Sequence, residues 1–288
     1  MDAIGAATGR DVSRRAAASR TSRRSSQWTF FAIVALVFAV CAASTIVWST
    51  SMSSMGEMPM PGGWTLSMTW VPMCGQKWPR AAASFVGMWL VMMIAMMLPS
   101  LAPVLWRYHE AVGLTDERNG TDGRRVAPLT ALVSVGYFFV WTVAGVAVFA
   151  LGAATTALAL HFATLAHAIP AAAGVAVLVA GVVQFSAWKA RYLACCRCTT
   201  MSGRARSTHA RAAWLHGLRL GVHCCYCCAG LTAVLLIDGI MDLYAMAFVT
   251  AAITAERLAR AGERVARATG VVVMVMGVTM LVRAFAFG

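Results

Sequence analysis

The sequence predicts an all-α fold, a polytopic transmembrane helical bundle of about seven spans with the N-terminus inside and the C-terminus outside. Of the 288 residues, 60% are hydrophobic and only 12% are charged, whereas about 25% are charged in an ordinary soluble domain. Apolar runs of membrane-spanning length recur along the chain, and basic residues concentrate in alternate connections between them. This pattern excludes a soluble globular enzyme, a disordered chain and a secreted domain held by disulfides.

Seven segments approach the length of a membrane-spanning helix, which needs about 20 mostly apolar residues. The sixth segment is short and contains Asp242. Together they form a single membrane domain, residues 28–288, after a basic tail at residues 1–27 that we interpret as flexible and cytoplasmic. The predicted spans are approximately 28–48, 81–106, 129–151, 171–188, 214–237, 240–255 and 269–287.

The distribution of basic residues predicts the orientation. With seven spans and the N-terminus inside, 21 of the 24 Lys and Arg residues lie on the inner side and 3 on the outer side. Without the sixth span the ratio falls to 18 against 6. Because positive charge concentrates in cytoplasmic loops, the seven-span arrangement fits better. The net charge of +13 therefore reports topology, and no nucleic-acid partner is expected.

Cysteines give the strongest chemical signal, since seven of the nine lie between residues 195 and 228. Thiolates are soft ligands that select Cu(I), zinc or iron–sulfur clusters. Thiols on the cytoplasmic side stay reduced, although cysteine can also be a small apolar filler in packed helices. On a helix, Cys224 shares a face with Cys227 and Cys228, and His223 shares one with Cys227. The candidate ligands are Cys195, Cys196 and Cys198 in an inner loop, and His223, Cys224, Cys225, Cys227 and Cys228 in the fifth span.

Methionine is the second signal, with 18 in the chain. Many lie in the predicted external loop 49–80, where a thioether can bind Cu(I) without deprotonation. The alternative is an interfacial segment whose Met and Trp side chains rest on lipid. The external methionines are Met52, Met55, Met58, Met60, Met68 and Met73, close to Cys74.

A row of methionines in the second span leads from the external loop toward the inner cysteines. Met88, Met92 and Met96 recur every four residues, and Met93 and Met97 form a neighbouring row. Such a stripe could line a metal path, or it could be flexible helix packing. Pro99 and Pro103 are expected to kink or end this helix near its inner end.

Three stretches resemble a family of bacterial inner-membrane proteins described as predicted metal-binding integral membrane proteins or copper chaperones. The resemblance covers about residues 85–285 and implies the fold and the class of metal. The chain departs from the family pattern at Tyr192, at Tyr226 and Ala229, at the additional Cys225, and at Asp242, where Asn is common. The stretches are 88–99, Gln184 through Lys189 to Cys196-Arg197, and Cys224 through Cys227-Cys228 to 239–242 and Glu256.

These observations predict a multi-pass protein of the bacterial inner membrane that binds and handles a soft metal, Cu(I) first and zinc second. It would act as a chaperone, an importer or a metallation partner of a copper-dependent membrane or periplasmic protein. No ATPase motif and no catalytic residues are predicted. Two alternatives stay open: a membrane thiol–disulfide oxidoreductase using vicinal cysteines, and a non-catalytic assembly subunit whose cysteines only pack.

Overall fold

A computed structural model describes residues 2–53, 58–60, 64–66, 77–118, 125–198, 209–240 and 242–287. Eight helices and one two-stranded hairpin lie within these ranges. The helices are α1 (Asp2–Ser53), α2 (Trp78–Arg118), α3 (Val126–His161), α4 (Ala163–Val183), α5 (Ala187–Cys198), α6 (Ala210–Asp238), α7 (Leu243–Leu258) and α8 (Gly262–Phe287), and the strands are β1 (Met58–Met60) and β2 (Trp64–Leu66).

Six of these helices are long and apolar enough to cross a membrane, counted over the described residues. They are α1, α2, α3, α4, α6 and α8. The sixth predicted span corresponds to α7, which has 16 residues and at about 1.5 Å per residue is about 24 Å long. A hydrocarbon core of about 30 Å exceeds that length. Six of the seven predicted spans therefore correspond to helices of spanning length.

Two local predictions differ from the structure. The basic segment that we interpreted as a flexible tail is helical from Asp2 onward, as the first part of α1. In the predicted external loop, β1 pairs with β2 in an antiparallel register that places Met58 opposite Leu66. The fold is thus helical with one small hairpin.

The prolines in α2 do not end the helix, which continues through Pro99 and Pro103 to Arg118. Membrane helices tolerate proline where side chains and neighbouring helices satisfy freed backbone groups. The hydroxyl of Ser100, between the two prolines, donates to the carbonyl of Met97 over 3.0 Å and accepts a hydrogen bond from Arg257 Nη1 over 3.1 Å. These bonds link the proline segment of α2 to the end of α7.

The core lies around α2 and α6, which are the most buried of the six long helices, whereas the Arg24–Ser51 part of α1 is mostly exposed. Glycine brings α3 and α6 close together, because a Cβ added at Gly221 would lie 2.8 Å from the carbonyl oxygen of Tyr137. Small residues at helix interfaces allow such backbone approach in membrane proteins. The contact fixes Tyr137 of α3 beside the cysteines of α6.

Candidate metal centre

Three sulfur atoms meet in the core between α2 and α6. The Sγ atom of Cys224 lies 3.9 Å from the Sδ atom of Met97 and 3.9 Å from the Sγ atom of Cys228. All three residues are buried, with at most 1% of their surface exposed. Helix periodicity brings the two cysteines together, since residues i and i+4 share a face. We call Met97, Cys224 and Cys228 the sulfur cluster.

The spacing of the sulfur cluster suits a soft metal ion. A metal–sulfur bond of about 2.3 Å and ligands spread by about 120° in a trigonal arrangement place the sulfurs about 4.0 Å apart. Both separations measured from Cys224 come close to this value. Thiolate and thioether donors together favour Cu(I) over hard cations. The donor types, and the two separations measured from Cys224, are therefore compatible with a soft metal ion.

A tyrosine from the third helix completes the surroundings of Cys224. The hydroxyl of Tyr137 donates to Cys224 Sγ over 2.9 Å, and Tyr137 is fully buried. One turn further along α3, the carbonyl of Trp141 accepts a hydrogen bond from Trp89 Nε1 over 3.0 Å. These two bonds hold α3 against the helices that carry the sulfur atoms, and the first orients a lone pair of the Cys224 sulfur.

A buried ion pair lies on the other side of the cysteine segment. The Nζ atom of Lys189 is 2.8 Å from Glu256 Oε2, and both side chains are at most 3% exposed. Lys189 also donates to the carbonyl oxygen of Cys227 over 2.6 Å, and Gln184 Nε2 donates to Glu256 Oε1 over 3.5 Å. The pair therefore joins α5, α6 and α7 at the level of the cysteines.

A cavity of about 250 Å³ adjoins the sulfur cluster. It opens between α2, α3, α6 and the end of α7, and Tyr137 forms part of its wall. The same tyrosine donates to Cys224, so one side chain separates the cavity from the buried thiol. The polar part of the wall carries Ser100, Arg107, His223 and Arg257.

Comparison with known proteins decides the family. A family model described as "Copper chaperone" (PpoB2) matches residues 86–280. The chain belongs to this copper chaperone family. Searches of curated proteins and of solved structures find no match. The resemblance that the sequence suggested is thereby confirmed, and with it a role of the chain in handling copper.

The structure brings only some of the predicted cysteine ligands together. Within the residues it describes, no group of three or more His, Cys, Asp or Glu side chains is arranged to hold a metal ion. The expected convergence of several thiols with His223 is thus not observed there. The third sulfur beside Cys224 belongs to Met97, which lies on another helix. In this member of the copper chaperone family, the two sulfur atoms recorded beside Cys224 are thus one thiol, from Cys228, and one thioether, from Met97.

The remaining candidates on α6 lie around the sulfur cluster. Cys227 is 2% exposed, and its carbonyl accepts from Lys189. Cys225 is half-buried. The ring of His223 faces Tyr192 with centroids 6.0 Å apart, and His223 also lines the cavity. Cys195, Cys196 and Cys198 belong to α5, and their side chains lie outside the described residues.

The methionine row of α2 is entirely buried. Met88, Met92, Met93 and Met96 are each at most 5% exposed, within the main hydrophobic core. Met97 makes the recorded sulfur contact with Cys224. Of the external methionines, Met58 and Met60 lie in β1 and Met52 near the end of α1, whereas Met55, Met68, Met73 and Cys74 lie outside the described residues.

The sequence reasoning missed the Lys189–Glu256 ion pair. Lys189 was counted as a basic residue of an inner connection and Glu256 appeared only in the family resemblance, but the two are buried and paired with each other. An ion pair can be buried when its charges and hydrogen bonds compensate for the loss of water. The usable signal was the family resemblance, whose matching stretches include both Lys189 and Glu256.

Proposed function

We propose that the chain is an integral membrane protein that binds Cu(I) at the sulfur cluster and passes it on. The observation that carries this proposal is the contact of Cys224 with both Met97 and Cys228 at 3.9 Å. Two thiols and a thioether, buried from water in a copper chaperone family member, form a donor set that suits Cu(I). Release to a copper-dependent membrane or periplasmic protein would make the chain a chaperone, importer or metallation partner.

The methionines of α2 support a path that leads to this site. From Met88 to Met97 the helix rises about 14 Å, and every methionine along that length is buried. Thioethers can bind Cu(I) weakly enough to release it to a thiolate. We propose that the methionines of the external segment collect the ion and that Cys195, Cys196 and Cys198 of α5 receive it or complete the site.

Metal analysis tests the site directly. Protein purified in detergent under reducing conditions, after growth with copper or zinc, is expected to hold about one Cu(I) per chain. The variant C224S/C228S should lose this copper, because a hydroxyl is a hard and weak donor for Cu(I). Met97→Leu should retain copper with lower affinity, since it removes one of the three sulfurs.

Cys41→Ser is the matched control, because Cys41 is a half-buried free cysteine of α1 outside the sulfur cluster. It should bind copper like the unmodified protein. If the purified protein contains zinc in place of copper, the site is supported but Cu(I) is not its ion. Equal copper in C224S/C228S and in Cys41→Ser would contradict the proposal.

The burial of Cys224, Cys227 and Cys228 argues against a thiol–disulfide oxidoreductase that uses these three cysteines. Exchange requires a thiolate to attack a partner's sulfur, so access is necessary. Cys224 and Cys228 are each 1% exposed and Cys227 is 2% exposed. The disulfide of a partner protein, which is too large for the adjoining cavity of about 250 Å³, could not reach these sulfurs without the helices separating.

We propose that α7 completes a seven-span topology with the N-terminus inside and the C-terminus outside. The support is the distribution of 21 basic residues inside against 3 outside, together with the pairing of Glu256 and Lys189. A phosphatase fused after residue 288 should be active on the outer side, and one fused at residues 119–124 should be inactive. An inactive C-terminal fusion would show that α7 does not cross.

A further inference from the structure

The cavity beside the sulfur cluster carries positive charge. Arg107 and Arg257 line it with His223, and none of the described residues in its wall is acidic. Arg257 is oriented by the hydrogen bond from its Nη1 to Ser100 Oγ over 3.1 Å, and Arg107 is exposed. Guanidinium groups bind carboxylates through paired hydrogen bonds. The wall therefore favours an anionic ligand.

The size and position of the cavity restrict the ligand further. Its volume of about 250 Å³ lies just below the range of about 300–1,000 Å³ that is usual for small-molecule pockets, so it admits a small molecule and no folded domain. Cys224 is only 1% exposed, yet the cavity reaches the tyrosine that donates to its sulfur. A ligand in the cavity thus lies one side chain away from the thiol.

We propose that the cavity binds the Cu(I) complex of a small thiol bearing carboxylates, and that Cu(I) is exchanged there with Cys224. The carboxylates would pair with Arg107 and Arg257, and the thiolate would carry the metal, because a soft ion travels on soft donors. This inference rests on the proposed function, since it assumes that the sulfur cluster is the site of Cu(I).

The exchange is balanced without an external oxidant or reductant. When the Tyr137 side chain, which donates to Cys224 Sγ from the wall of the cavity, turns aside, a bond forms between Cu(I) and Cys224 Sγ, and the bond between Cu(I) and the sulfur of the small thiol breaks. The proton of the Cys224 thiol passes to the departing thiolate, which leaves as a neutral thiol group. Copper stays Cu(I) throughout. The reverse sequence returns copper to the small thiol, so the same cavity serves loading and unloading.

The test compares two copper donors of opposite charge in uncharged detergent. One is Cu(I) bound to mercaptosuccinate, which has two carboxylates, and the other is Cu(I) bound to cysteamine, which is cationic. In Arg107→Gln, the rate of copper transfer from mercaptosuccinate should fall about tenfold, because the charge that attracts the donor is removed. Transfer from cysteamine should be unchanged or faster.

Arg125→Gln is the matched control. Arg125 is exposed and lies at the start of α3, at the end of the bundle where α2 finishes, but it does not line the cavity. It should leave transfer from both donors unchanged. Copper content at equilibrium should be equal in the two variants and in the unmodified protein, because neither arginine contacts the sulfur cluster.

The possible results separate this inference from the proposed function. If the unmodified protein binds no copper, both fail. If it binds copper but Arg107→Gln transfers at the normal rate from mercaptosuccinate, only the cavity inference fails. An equal loss of rate with both donors would also overturn it, because a structural defect would not distinguish the charge of the donor. If added phosphatidylglycerol lowers the rate of copper transfer from both donors equally, the arginines bind lipid headgroups and the inference is overturned.

Discussion

Replacing Glu256 by Gln is expected to destabilise the protein by about 3–5 kcal/mol, the usual cost of leaving one partner of a buried ion pair without its opposite charge. Lys189 would keep its hydrogen bond to the carbonyl of Cys227 but would lose the carboxylate 2.8 Å away. The remaining ammonium group of Lys189 would be shielded from water, because its side chain is 3% exposed. Thermal unfolding in detergent, followed by circular dichroism, measures the loss.

The double variant K189M/E256M distinguishes the charge from the volume of the side chains. Apolar residues of similar size in place of a buried ion pair are often neutral or stabilising, so the double variant should recover most of the stability lost in Glu256→Gln. Glu263→Gln is the control, since Glu263 is an exposed residue of α8 and should change stability by at most about 0.5 kcal/mol. Equal unfolding temperatures for Glu256→Gln and Glu263→Gln would contradict the expected cost.

The Lys189–Glu256 pair shows what could not be predicted from the sequence. Composition and the recurrence of apolar runs are properties of each segment alone, and six helices of spanning length follow from them. The pairing of Lys189 with Glu256 joins residues 67 positions apart, and it depends on how α5 and α7 pack against α6. A charge in a short connection and a charge in a buried pair have the same appearance in the sequence.

The sulfur cluster likewise combines one contact that the sequence could predict with one that it could not. The contact between Cys224 and Cys228 is one turn of a helix and could be predicted from spacing. The contact with Met97 spans 127 positions in the chain and depends on how α2 packs against α6. Helix periodicity places Met97 with the other methionines of the second span. It could not show which of the five contacts Cys224, because all five are equally apolar and lie in two adjacent rows.

The interface of α3 and α6 is expected to be the most sensitive to added volume. A Cβ at Gly221 would lie 2.8 Å from the carbonyl oxygen of Tyr137 and 2.9 Å from the Cβ of Val140. Because the first of these is backbone, it cannot turn aside, and the helices must separate. Overpacking of this kind costs about 1–3 kcal/mol. Gly221→Ala should therefore unfold at a lower temperature than the unmodified protein.

Gly221→Ala should also weaken copper binding, because separation of α3 from α6 lengthens the 2.9 Å hydrogen bond from Tyr137 to Cys224. Groups that orient a metal ligand typically contribute about 10–100-fold to affinity. Gly230→Ala provides the control on the same helix, since its Cβ would lie 3.4 Å from the nearest atom, an ordinary contact. Competition with a Cu(I) chelator should show weaker binding for Gly221→Ala alone. If both variants bind copper equally while only Gly221→Ala is destabilised, the glycine serves helix packing and Tyr137 has no part in holding the metal site.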